Sequence, residues 1–278
     1  MLKTKAILIF ILSLGLFFGC GKKKYDNDAS ALWNYRIETA FDEMTNISDQ
    51  AITGNMVYYK SGEVIFSKPG PHLDALKTPC NVIITLDTMV NPKVLTVDYG
   101  STNCTCNDGK TRRGKIITTF TGSYAAPGTV ITHTPDNYYV NDIKYEGSKT
   151  VTNMGLNNNN NPYFTVQING NATMTTGEII TYTSSRIRTW STGANTLLNY
   201  MDDEYDITGT SNATFSSGGS YACETTSPVH VKVGCPYPVS GTLKITPSNK
   251  PERVIDYGSG TCDNTFTVTV NGNTYTIN

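Results

Sequence analysis

Arg186, Arg188 and Trp190 alternate along Ser185-Arg186-Ile187-Arg188-Thr189-Trp190, so an extended chain puts two guanidinium groups and an indole on one face. Flat cations and indoles stack on planar partners, which makes these three residues the candidate ligand surface, for a glycan or an anionic group. Cross-strand carboxylates would satisfy the same arginines without a ligand. Arg112, Arg113 and Lys115 form a second basic cluster after Asn107-Asp108-Gly109, with the same two readings. Catalytic patterns are sparse. His72, His133 and His230 are far apart in sequence, and neither a His-Glu-x-x-His nor a Gly-x-Ser-x-Gly pattern is present. Asp202-Asp203-Glu204 could contribute a glycosidase carboxylate, which needs a second one about 5 to 9 Å away; a solvated loop explains the run more simply. No residue is assigned a catalytic role and no cofactor motif is found.

The cysteines carry more information. Apart from Cys20 they are Cys80, Cys104, Cys106, Cys223, Cys235 and Cys262, an even set that suits an oxidising compartment. Val97-Asp98-Tyr99-Gly100-Ser101-Thr102-Asn103-Cys104 recurs as Ile255-Asp256-Tyr257-Gly258-Ser259-Gly260-Thr261-Cys262. A proline and an earlier cysteine precede each copy, Pro92 and Cys80 or Pro251 and Cys235. Equivalent modules would pair Cys80 with Cys104 and Cys235 with Cys262, and subtraction would then join Cys106 to Cys223. Cys104 and Cys106 could exchange roles, because alternate positions of an extended chain point the same way. Zinc at Cys104-Thr105-Cys106 is disfavoured by the spacing and by the compartment. Asp98 and Asp256 open oxygen-rich turns that could hold calcium, but no alternating acidic loop is present and a strand-end aspartate more often caps its own turn. No metal ligand is assigned.

The compartment follows from the first twenty residues. Lys3 and Lys5 precede an apolar run from Ala6 to Phe18, too short to cross about 30 Å of hydrocarbon. Leu16-Phe17-Phe18-Gly19-Cys20 resembles the lipobox of bacterial lipoproteins, with Phe17 where leucine is usual. That resemblance implies acylation of Cys20 and membrane attachment through the lipid. Removing residues 1–19 leaves 20 basic against 23 acidic side chains, a net charge of −3. A nucleic-acid partner would call for a basic excess and is not expected. The expected location is the outer membrane of a bacterial envelope, with the periplasmic or surface face left open.

The elements that position these residues are mostly strands. Residues 1–19 read as a signal peptide, 20–28 as a tether, 29–54 as an amphipathic helix and 55–278 as an antiparallel β domain with related cysteine motifs at 80–104 and 235–262. Trp33, Ile37, Ala40, Phe41, Met44, Ile47 and Ala51 form the helical stripe, expected to pack against one end of the sheet. From Met56 onward the pattern has a period of two, with strands expected at 56–66, 137–145, 162–168, 171–174 and 178–190 among others. Asn169-Gly170, Thr176-Gly177, Ser217-Gly218-Gly219 and Asn271-Gly272 read as turns. Connections this short make an all-β antiparallel meander, drawn as an elongated sandwich or a curved, partly open barrel.

With these segments in view, the chain from about residue 80 to 278 resembles a group of Bacteroidota lipoproteins. The likeness rests on Val97-Asp98-Tyr99-Gly100, the run from Asn107 to Ile116, Asp136 to Asn141, Ser185 to Trp190 and Ile255 to Asn264. The resemblance implies kinship and a lipid anchor, and carries over no activity. The functional expectation is a non-enzymatic envelope lipoprotein with a structural or interaction role toward an envelope protein or a glycan. A carbohydrate-binding or glycan-processing accessory is the alternative.

Overall fold

The computed structural model describes residues 30–54, 82–196, 202–235, 237–263 and 265–277. Cys20, His72, Cys80 and the strand expected at 56–66 lie outside these residues. One helix, α1 (Ser30–Gly54), precedes the strands. They are β1 (Ile83–Asp87), β2 (Lys93–Asp98), β3 (Cys104–Thr105), β4 (Thr111–Phe120), β5 (Val130–Val140), β6 (Ile143–Leu156) and β7 (Pro162–Thr173). There follow β8 (Ile179–Thr192), β9 (Glu204–Phe215), β10 (Ser220–Lys232), β11 (Ser240–Pro247), β12 (Arg253–Ser259), β13 (Phe266–Val270) and β14 (Asn273–Ile277).

These strands make one antiparallel sheet in chain order, except that β3 leaves the path and pairs only with β4. The all-β meander is as expected. No second sheet packs on it among the described residues; the sheet curves about α1, which touches β2, β4, β5 and β11. Asn34 meets Tyr182 on β8 and Ser211 on β9, whereas Ser48 meets Thr118 on β4 and His133 on β5. The helical rise from Asn34 to Ser48 is about 21 Å, and the strand spacings from β4 to β9 sum to about 24 Å. The helix therefore lies across the strands, inside the hollow. It does not pack on one end of the sheet, because its polar residues find partners in that hollow as its apolar ones do.

Ile37, Phe41, Met44 and Ile47 are buried against Leu95, Ile116, Tyr138, Ile168, Tyr182 and Ile245 from the sheet. Gly170 sets how closely they approach. A Cβ there would lie 2.6 Å from Phe41 Cζ and 2.5 Å from the Glu146 carbonyl oxygen. Asn169-Gly170 is consequently not a turn, and β7 runs straight through it. The turn between β5 and β6 is at Asn141 and Asp142, with φ of 50° and 63°, inside the strand expected at 137–145; two successive positive φ values suit a tight hairpin.

The repeat is structural as well as sequential. Asp98 Oδ1 accepts a hydrogen bond from the Gly100 amide at 2.8 Å, and Asp256 Oδ1 accepts one from the Gly258 amide at 2.8 Å. Each aspartate lies on the second strand of a hairpin: Asp98 ends β2 of the β1–β2 pair, and Asp256 sits within β12 of the β11–β12 pair, just before its register shift. Cys235 and Cys262 form a disulfide with Cα atoms 5.5 Å apart, as the repeat predicts. Cys104 is disulfide-bonded to a partner outside the described residues.

Candidate functional site

Among the described residues, the densest chemistry is where α1 meets the hollow. Glu38 and Asp42 are one helical turn apart on one flank of the buried face of α1, and Glu43, five positions after Glu38, lies on the opposite flank. Each meets a cation from a different strand. Arg186 of β8 donates from Nε and Nη2 to Glu38 Oε1 at 2.9 and 2.7 Å. Lys149 of β6 lies 2.5 Å from Asp42 Oδ1. Arg112 of β4, fully buried, reaches Glu43 Oε2 at 3.1 Å and clasps both oxygens of Asp108 at 2.8 and 2.6 Å.

Electrostatics holds Arg112 and Asp42 charged. Burial disfavours the Arg112 guanidinium, yet its hydrogen bonds to Asp108 and the nearby Glu43 carboxylate outweigh that penalty and raise its pKa. The Asp42 carboxylate, crowded by the sheet on one side and open to water on the other, is held below the ordinary range by the Lys149 ammonium. Burial, then the Glu38 charge, lifts the Tyr182 phenol well above its usual value; its hydroxyl donates to Glu38.

At the other end of α1 a neutral cluster closes the contact. Ser48 Oγ, Thr118 Oγ1 and His133 Nδ1 form a triangle with sides of 2.7, 2.9 and 3.3 Å, and Ser48 also donates to the Met44 carbonyl. Every donor finds an acceptor when the chain runs His133 Nδ1–H to Thr118, Thr118 to Ser48, and Ser48 to Met44. His133 Nε2 then carries only a lone pair, with no hydrogen-bond partner among the described residues. Burial, with the charges of Lys149 and Arg188, lowers the His133 pKa to about 3.

The expected ligand surface looks into this hollow. Arg186 is neutralised by Glu38. Arg188 sits 5.3 Å from the Phe164 ring centre and 5.2 Å from that of Tyr205, and donates to the Tyr124 hydroxyl. Trp190 is 7% exposed and stacks on Tyr205 with ring centres 5.8 Å apart. The three do share one face of β8, but it is the buried face, so they do not present an open platform. In the second basic cluster Arg113 lies over Tyr139 and pairs with Asp142 at 2.5 Å, and Lys115 pairs with Asp98 at 3.2 Å.

The acidic run is likewise engaged internally. Glu204 holds His230 Nε2 at 3.1 Å and Lys232 at 3.3 Å, Asp206 holds His230 Nδ1 at 2.7 Å, and Asp203 is buried. Among the described residues no group of three or more histidine, cysteine or acidic side chains is arranged to hold a metal ion. Asp256 and Asp263 line a hollow of about 200 Å³ with Tyr257 and Phe266, beside the disulfide.

Cys106 and Cys223 are not joined as subtraction predicts: both thiols are free and buried. Cys106 follows β3 beside β4, whereas Cys223 is on β10. Five strands separate β4 from β10 in the sheet, and α1 fills the hollow between its two sides, so the Cα atoms cannot approach within the 4.4 to 6.8 Å that a disulfide needs. Burial raises both thiol pKa values, that of Cys223 to about 11.

The apolar pattern of α1 left Glu38, Asp42 and Glu43 unnoticed as site residues, and Lys149 lies on β6 with no local sign of its partner. The signal for Glu38 and Asp42 is their spacing from Asn34, a polar stripe at four-residue intervals beside the apolar one. Comparison of the chain with protein-family models, with curated proteins and with solved structures finds no significant match.

Proposed function

We propose that the protein is a lipid-anchored lipoprotein of the bacterial outer membrane that acts without catalysis, through contacts made by the outer surface of its sheet. One observation carries this reading. The hollow of the sheet, where a curved sheet would take up a substrate, is occupied by the chain's own α1, whose carboxylates neutralise Arg112, Lys149 and Arg186. Contacts with an envelope protein or a glycan are left to the outward faces and the turns. The basic start, the short apolar run and Cys20 support acylation at that cysteine.

Cys20→Ala tests the anchor: the protein is expected to fold and to leave the membrane fraction. Retention of that variant after a carbonate wash would contradict the proposal. A glycan array with the purified mature protein tests the second reading, a glycan-binding accessory, favoured by the hollow between Asp256, Asp263, Tyr257 and Phe266. Binding that Asp256→Ala abolishes would replace the first reading.

A further inference from the structure

The outward side of α1 differs from the side that faces the hollow. Leu32 is 46% and Tyr35 51% exposed, Arg36 is exposed, and its guanidinium lies 4.8 Å from the centre of the partly buried Trp33 ring. Residues 32, 35 and 36 fall on one helical face, with 33 at its border. An aliphatic side chain, two amphipathic aromatic rings and a cation are the set that settles at the boundary between lipid headgroups and acyl chains.

The chain before α1 identifies what covers this face. Cys20 precedes Ser30 by ten residues, a reach of at most about 35 Å when fully extended. Lys22, Lys23 and Lys24 in that tether are attracted to anionic headgroups. We infer that the exposed face at the start of α1, formed by Leu32, Trp33, Tyr35 and Arg36, docks on the surface of the lipid bilayer and fixes how the sheet stands on it. This inference rests on the lipid anchoring proposed above. Its consequence is a sheet held in one orientation, with α1 between bilayer and sheet.

The test uses the acylated mature protein in vesicles of phosphatidylethanolamine and phosphatidylglycerol with bromine in the upper acyl chain. Tryptophan emission is compared with that of Trp33→Phe, which isolates the Trp33 contribution from that of buried Trp190. The expected result is flotation with the vesicles and loss of most of the Trp33 emission. Leu32→Ser with Tyr35→Ser should still float, yet keep that emission; Arg36→Glu should reduce the quenching in these vesicles more than in neutral phosphatidylcholine. In the unacylated chain, vesicle affinity should fall about tenfold for each of Leu32 and Tyr35 replaced. Wild-type protein that floats with Trp33 unquenched would overturn the docking and leave the anchor standing. Wild-type protein that does not float would overturn the anchor, and the docking with it.

Discussion

Lys149 Nζ lies 2.5 Å from Asp42 Oδ1, joining β6 to α1 across 107 positions of sequence. The two partners are not equivalent, since the lysine side chain is 2% exposed and the aspartate side chain 59%. Removing the carboxylate strands a buried ammonium, whereas removing the ammonium leaves a carboxylate that water still reaches. Asp42→Asn should therefore destabilise the protein more than Lys149→Met, by up to about 3 kcal/mol. Urea denaturation of both variants checks the order, and equal midpoints would contradict it.

His133 makes stability depend on pH. The unfolded imidazole takes up a proton below about pH 6.5, whereas the folded one stays neutral down to about pH 3. Between these values the unfolded state binds more protons, so stability is lost as pH falls, by about 1.4 kcal/mol per pH unit for this one group. Above pH 6.5 the effect vanishes. Denaturation between about pH 4.5 and 6.5 should show a steeper loss than in His133→Gln; an identical slope in the variant would remove His133 as the cause.

Gly170 is where backbone meets helix. Gly170→Ala should cost about 1 to 3 kcal/mol through overpacking, because the new methyl group meets both Phe41 and the Glu146 carbonyl. Adding Phe41→Leu relieves only the first clash, so the double variant should regain part of the loss relative to Phe41→Leu alone. Thermal melting of the four proteins decides it, and an unchanged melting temperature for Gly170→Ala would refute the close approach.

Cys106 and Cys223 should resist maleimide in the native protein and react once it is unfolded without reductant. Peptide mapping should then find two labelled sites and a linked Cys235–Cys262 pair. A peptide joining Cys106 to Cys223 would contradict the free thiols.

Alternation along the chain was enough to place Ile180, Tyr182, Ser184, Arg186, Arg188 and Trp190 on one face of β8, and the repeated Asp-Tyr-Gly motif was enough to pair Cys235 with Cys262. Which way that face of β8 looks was not legible. Its partner Glu38 is 148 positions from Arg186, and charge complementarity over that distance leaves no local periodicity. Asn169-Gly170 fails for a related reason: a glycine demanded by a distant phenylalanine reads the same as one demanded by a turn. Subtraction failed at Cys106 and Cys223 because it took every remaining cysteine to be paired, and two buried thiols break that premise.

The seating of α1 in the sheet is tested most directly by a double-mutant cycle on Glu38 and Arg186, whose side chains are 14% and 13% exposed. Glu38→Ala and Arg186→Ala should each cost about 3 to 5 kcal/mol, since each leaves the other charge buried and unpaired. The double variant should cost less than their sum, by a coupling of about 1 to 3 kcal/mol. Costs that simply add, with coupling below about 0.5 kcal/mol, would contradict a helix held in the hollow by paired charges.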